Sequence, residues 1–85
     1  MREFSYIIQD ELGIHARPAG QLVKVAKKYN CKIKVQKDTN EVDGKSILGI
    51  MGLGVKKGEE ILFRFDGADE AQALEEMKAY LKEAL

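Results

Sequence analysis

The sequence predicts an α+β open sandwich, with strands covered on one face by helices in the order β-α-β-β-α-β-α. Three patterns predict it. Cys31-Lys-Ile-Lys-Val-Gln-Lys37 alternates apolar and polar residues strictly, the period of a half-buried strand. From Ala16 onward, Ala19, Leu22, Val23, Ala26 and Tyr29 recur at helical spacing, with Gln21, Lys24, Lys27 and Lys28 on the opposite face. The last segment puts Ala71, Leu74, Met77, Leu81 and Leu85 on one stripe, with Ala73 and Tyr80 at its margins.

The chain starts with a strand over residues 2–8, built on the β-rich run Phe4-Ser-Tyr-Ile-Ile8. Asp10 to Gly13 is a turn or loop. The first helix follows, with Pro18 near its start, where the missing amide hydrogen costs nothing. Lys27 and Lys28 suit the negative pole at its end. After the alternating strand, Asp38-Thr-Asn40 turns the chain into a short return strand near Glu41 to Asp43. Beyond Ser46, a preferred N-cap residue, the apolar run predicts a short helix. Gly49, Gly52 and Gly54 weaken that helix by roughly 1 kcal/mol each relative to alanine, so tertiary contacts must hold it. Lys57-Gly58 turns into a strand over Glu60 to Asp66. Asp69 opens the final helix, with Gln72 at the partner position of a capping box.

Composition narrows the function classes. Eighty-five residues suit a single domain spanning 1–85. Fourteen basic residues balance fourteen acidic ones, which argues against a duplex-binding protein. The sheet segments lack the interleaved aromatics of a small RNA-binding sandwich. No apolar run approaches a bilayer span, and nothing at the start reads as a signal peptide. Cys31 is the sole cysteine, expected to be buried beside a strand in a reducing, cytoplasmic setting. No Cys/His cluster supports a metal site, and no cofactor is implied.

The chain's only histidine and only proline fall within LGIHARPAG, residues 12–20, together with Arg17. His15 stands just before a helix whose first-turn amides have no internal acceptors, a ready anion site. Arg17 adds a forked cation suited to phosphate oxygens. Gly13 lets the loop turn, and Pro18 fixes the start of the helix. These positive surroundings disfavour a proton on the imidazole, leaving a ring lone pair free to attack. A neutral nucleophile that becomes an anionic adduct is what a phosphoryl acceptor requires. Kinase machinery is missing, since no GxxxxGK[ST] cradle occurs, and there is no Ser/His/Asp set. A carrier also must not hold its phosphate too tightly, because stabilising the adduct raises the barrier to passing it on.

GIHARPA at 13–19, followed by KSILGIMGLGV at 45–55, resembles the HPr family, the histidine-containing phosphocarriers of the bacterial phosphoenolpyruvate-dependent sugar phosphotransferase system. The resemblance spans the chain, including GADE at 67–70. It implies a four-stranded antiparallel sheet with three helices. It implies that His15 takes a phosphoryl group on Nδ1 from enzyme I and passes it to enzyme IIA proteins, with Arg17 managing the phosphate. The protein is then a carrier rather than an enzyme, and a monomer is expected because it exposes one face to successive partners. The resemblance also implies phosphorylation of Ser46 by HPr kinase/phosphorylase, read by a catabolite control protein. Ile47, Leu48 and Met51 match the family's exposed partner-binding patch, with Ile50 and Leu53 packing inward. Leu12, Gly20 and Gly52 depart from the residues common at their positions, which bears on partner affinity rather than on phosphorylation. Relatives restricted to signalling lack the active histidine, so His15 favours the carrier role over regulation alone.

Overall fold

The computed structural model describes residues 1–85 and contains β1 (Arg2–Ile7), α1 (Ala16–Lys27), β2 (Lys32–Lys37), β3 (Asn40–Asp43), α2 (Ile47–Gly52), β4 (Glu60–Asp66) and α3 (Glu70–Ala84). The four strands form one sheet in the order β1-β4-β2-β3, antiparallel at every step. The element order and the open sandwich are as the sequence predicts.

Register explains why the sheet has two unlike faces. Phe4 pairs with Phe63, Phe63 with Val35, and Val35 with Val42, so one apolar row crosses all four strands. The Phe4 ring stacks on Phe63 at 5.2 Å between centroids and on Phe65 at 5.9 Å. One residue along, Glu3 pairs with Arg64, Arg64 with Lys34, and Lys34 with Asp43. This charged row belongs to the uncovered face and has its two cations, Arg64 and Lys34, on the central strands and an acid on each outer strand, so the pairs Glu3–Arg64 and Lys34–Asp43 attract. Arg64 reaches Glu3 at 3.2 Å and Glu41 at 3.3 Å.

The helices cover the apolar face. Leu22 and Ala26 from α1, Ile50 from α2, and Ala73, Met77 and Leu81 from α3 join Ile33, Val35, Ile61, Phe63 and Phe65 in one buried cluster. Cys31 lies in this core, and burial pushes its thiol up to about 11. Tyr29 at the end of α1 donates to Glu76 Oε1 on α3, and Lys28 pairs with the same carboxylate. No helix is long and apolar enough to cross a membrane.

Two expectations about α3 need correction. The stripe is displaced: Ala73 is fully buried whereas Ala71 is exposed, so the inward series runs Ala73, Met77, Leu81. Leu74 and Tyr80 pack at its edge. The Asp69–Gln72 capping box does not form. Asp69 instead accepts hydrogen bonds from the amides of Asn30 (2.8 Å) and Cys31 (3.0 Å), tying the start of α3 to the α1–β2 connection. These bonds, led by the Asn30 amide, hold its carboxyl below the usual aspartate range. Glu70 Oε1 accepts from the Gly67 amide at 3.1 Å and closes the helix start in place of Gln72.

The α2 glycines matter less than their count suggested. Only Gly49 is interior, because Gly52 is the last helical residue and Gly54 lies beyond the end with φ of 61°. A left-handed residue there is a common way for a helix to stop. At Gly49 a Cβ would come within 3.1 Å of Val42, so the absent side chain lets α2 sit close against β3.

Candidate functional site: the start of helix α1

The loop into α1 is held before any chemistry is considered. Asp10 Oδ1 accepts from the Leu12 amide at 2.8 Å, and the Asp10 carbonyl accepts from the Gly13 amide at 2.9 Å. The Ile14 amide then donates to the Val55 carbonyl at 3.0 Å, while the Ile14 side chain enters the core. Gly13 adopts φ of 69°, a left-handed conformation that glycine accepts without strain. The strand-to-helix connection therefore delivers His15 to a fixed position.

His15 is the N-cap of α1, with extended backbone (φ −96°, ψ −175°), yet its side chain caps nothing. A serine or aspartate there would spend its oxygen on a first-turn amide. The Ala19 amide already donates to the His15 carbonyl at 3.0 Å, and Pro18 has no amide hydrogen. The amides of Ala16 and Arg17 donate to no group of the chain. Two convergent donors thus sit at the positive pole of a twelve-residue helix, with no acidic residue in its first turn. Arg17 is exposed and makes no ion pair, so its guanidinium is free to meet an anion. Pro18 is buried and anchors the first turn.

The imidazole is half-exposed, with 39% of its side chain accessible, and its Nε2 lies 3.9 Å from Asp10 Oδ2. The sequence alone marked Asp10 only as part of a turn. Its spacing from Leu12 signals the turn, but nothing local shows that the second carboxylate oxygen faces His15. A carboxylate therefore stands on one side of the ring, and His15 itself is the N-cap at the positive end of α1.

Ser46 is the N-cap of α2, and its Oγ accepts from the Gly49 amide at 3.1 Å. Lys45 reaches back to the Tyr29 carbonyl at 2.7 Å, which ties this turn to the end of α1. Ile47, Leu48 and Met51 are exposed at 41%, 82% and 41%, whereas Ile50 and Leu53 are buried. The patch adjoins α1: a Cβ on Gly20 would lie 3.8 Å from the Ile47 Cδ1. Gly20 is one helical turn beyond Arg17, so basic and apolar features share one surface. Leu12, 74% exposed, projects from the loop that carries His15.

His15 thus stands at a helix start with two free amides and an exposed Arg17 in its first turn, and comparison with known proteins identifies the lineage. The family model described as the PTS HPr component phosphorylation site matches residues 2–83. The chain belongs to the HPr family. Among curated HPr proteins, the phosphocarrier of Lysinibacillus sphaericus is 41% identical over 83 residues, which cover 98% of this chain and 94% of the relative. Two solved HPr structures superpose closely. The histidine-containing phosphocarrier protein of a Mycoplasma has a TM-score of 0.94 at 36% identity, covering 96% of this chain and 93% of its own. HPr of Thermoanaerobacter tengcongensis gives 0.93 at 37% identity, with 98% and 93% covered. As an HPr, the chain is a phosphocarrier of the phosphotransferase system that bears a phosphorylation site.

Proposed function

We propose that His15 is the phosphoryl acceptor, taking the group on Nδ1 from enzyme I and passing it to enzyme IIA components during sugar uptake. The observation that carries this reading is an N-cap imidazole that caps nothing, beside two amides without acceptors and an unpaired Arg17. Once Nδ1 is phosphorylated, the Ala16 and Arg17 amides and the guanidinium supply positive partners for the new oxygens. The site is shallow, so the adduct stays reachable by the next protein and is not over-stabilised. The protein acts as a carrier, consumed and regenerated by phosphotransferases, in the cytoplasm and as a monomer. Ile47, Leu48 and Met51 form the surface against which partners dock, and the exposed methionine suits a face that meets several of them.

Ser46 is proposed as a regulatory phosphorylation site for HPr kinase/phosphorylase, read by a catabolite control protein. Its hydroxyl opens α2, where added phosphate is electrostatically tolerated by the helix start. The new charge would stand beside Ile47 and Leu48 and weaken an apolar docking contact there.

Incubation with enzyme I and labelled phosphoenolpyruvate tests the first assignment. Wild-type protein is expected to take up acid-labile label, and His15→Ala to take up none; acid-labile label on His15→Ala overturns it. For Ser46, the kinase with ATP should give acid-stable label on wild type and not on Ser46→Ala. Retained label on that variant defeats the second assignment.

A further inference from the structure

We infer that Asp10 is a positioning residue for phosphoryl transfer, its carboxylate favouring the proton on Nε2 of His15 and so keeping the Nδ1 lone pair free. This rests on the reading of His15 as the acceptor.

Asp10 is unusually well fixed for a loop residue. Its amide donates to the Leu85 carbonyl at 3.1 Å, its carbonyl accepts from Gly13 at 2.9 Å, and its Oδ1 accepts from Leu12 at 2.8 Å. These bonds commit one carboxylate oxygen and orient the other. Oδ2 faces His15 Nε2 at 3.9 Å, with both side chains partly accessible. That separation exceeds a direct hydrogen bond, so the coupling runs through charge attraction or one bridging water. Either route rewards a proton on the nitrogen that faces the carboxylate. The neighbouring acid, Glu11, is paired with Lys57 at 3.2 Å, and so is otherwise engaged.

A neutral imidazole has one protonated nitrogen and one lone pair, and the partner of the first decides where the second lies. With hydrogen on Nε2, the Nδ1 pair attacks phosphorus. The Nδ1–P bond forms as the bond from phosphorus to the donor's leaving atom breaks, and that leaving atom keeps its electron pair. No proton need depart from His15. The ring becomes positively charged while it holds Nε2–H, and the Asp10 carboxylate stands beside that charge. With hydrogen on Nδ1 instead, the nucleophilic position is blocked.

Asp10→Asn separates this role from loop maintenance. Asparagine retains an oxygen for the Leu12 amide but turns an NH2 donor toward Nε2, which rewards the opposite tautomer. Imidazole nitrogen shifts of 15N-labelled protein above the ring's titration range read the tautomer directly. Wild type is expected to be mainly Nε2–H, and Asp10→Asn to shift toward Nδ1–H. With phosphorylated enzyme I as donor, kcat/KM should fall roughly tenfold in Asp10→Asn, comparable with the loss when a metal-bound histidine is deprived of the carboxylate that orients it. Its urea midpoint should stay at the wild-type value, and Asp10→Glu should recover part of the rate. An unchanged tautomer ratio in Asp10→Asn overturns the proposal, as does a rate loss that merely tracks lost stability. Failure of the His15 reading would show separately, as acid-labile label on His15→Ala.

Discussion

The Val55 carbonyl oxygen accepts the Ile14 amide at 3.0 Å, and a Cβ added to Gly13 would fall 2.2 Å from that same oxygen. One backbone group therefore both anchors the active loop and forbids a side chain next to the anchor. Gly13 is also left-handed, at φ of 69°.

Gly13→Ala should accordingly cost stability and displace His15. Left-handed strain and the clash together are expected to destabilise by about 2–4 kcal/mol. Urea unfolding measures the loss, and phosphoryl uptake should fall further than stability alone explains. A variant with wild-type midpoint and rate would show that the Val55 anchor does not set the loop.

Ile50 and Leu48 are two positions apart on α2 and face opposite ways, one buried and the other 82% exposed. Truncating Ile50 to alanine leaves a cavity under the helix and should cost about 2–5 kcal/mol. Leu48→Asp should leave stability within about 0.5 kcal/mol, as surface changes do. Its KM for phosphoryl uptake from enzyme I should nevertheless rise, since a charge then occupies the apolar patch. Thermal melts paired with uptake kinetics check both, and an unchanged KM for Leu48→Asp removes that residue from the docking surface.

Much of this fold is local information. The alternation of residues 31–37 and the helical spacing from Ala16 to Tyr29 each specify their element without reference to distant chain. The inward positions of α2, Ile50 and Leu53, came from the family resemblance instead, since its apolar residues alone do not say which side is buried. What stayed hidden depends on remote partners. The carboxylate of Asp69 goes to amides 39 and 38 residues away, so its local capping pattern misdirects. Alanine occupies both 71 and 73, and only the packing of α3 over the sheet decides which is buried. At the site, His15, Arg17 and Pro18 form one legible motif. The direction of the second Asp10 oxygen is a property of the folded turn.

Arg17 makes no ion pair in the chain, so its removal should leave the fold intact and act on the phosphorylated state. A charge-assisted hydrogen bond is worth about 1.5–3 kcal/mol, or roughly 10- to 150-fold in rate where it forms in the transition state. Arg17→Ala should slow phosphoryl uptake on that scale at an unchanged melting temperature. Arg17→Lys should recover part of it, keeping the charge without the fork. Uptake at the wild-type rate in Arg17→Ala would exclude the guanidinium from the reaction.

The Cys31 thiol, pushed up to about 11 by burial first and the hydrogen bond with Asp69 second, favours the neutral form in the fold. An unfolded thiol ionises near about 8.5. The stability linked to the neutral thiol is thus full below that value and lost as pH rises toward about 11. Urea midpoints from pH 8 to 10 should fall for wild type and fall less for Cys31→Ala. Equal slopes would assign the alkaline loss elsewhere.

Acid should act through Asp69, whose carboxyl is held low chiefly by the Asn30 amide. The sign follows from the direction of that shift. A carboxyl with a lowered folded value contributes stability in full above its unfolded value, about 3.9, and loses it as pH falls through the folded one. Glu59, Glu70 and Glu76 are lowered too, by the Lys56 amide, the Gly67 amide and Lys28 respectively, and act in the same direction. Asp69 differs in accepting from two backbone amides of the α1–β2 connection, so its protonation loosens the joint between the end of α1 and the start of α3. Asp69→Asn keeps an oxygen for one amide and removes the titration. Wild-type urea midpoints should drop more steeply than those of Asp69→Asn between pH 5 and pH 2, the two converging at the acid end. Parallel curves over that window would mean that the joint is not acid-sensitive and that the glutamates carry the whole effect.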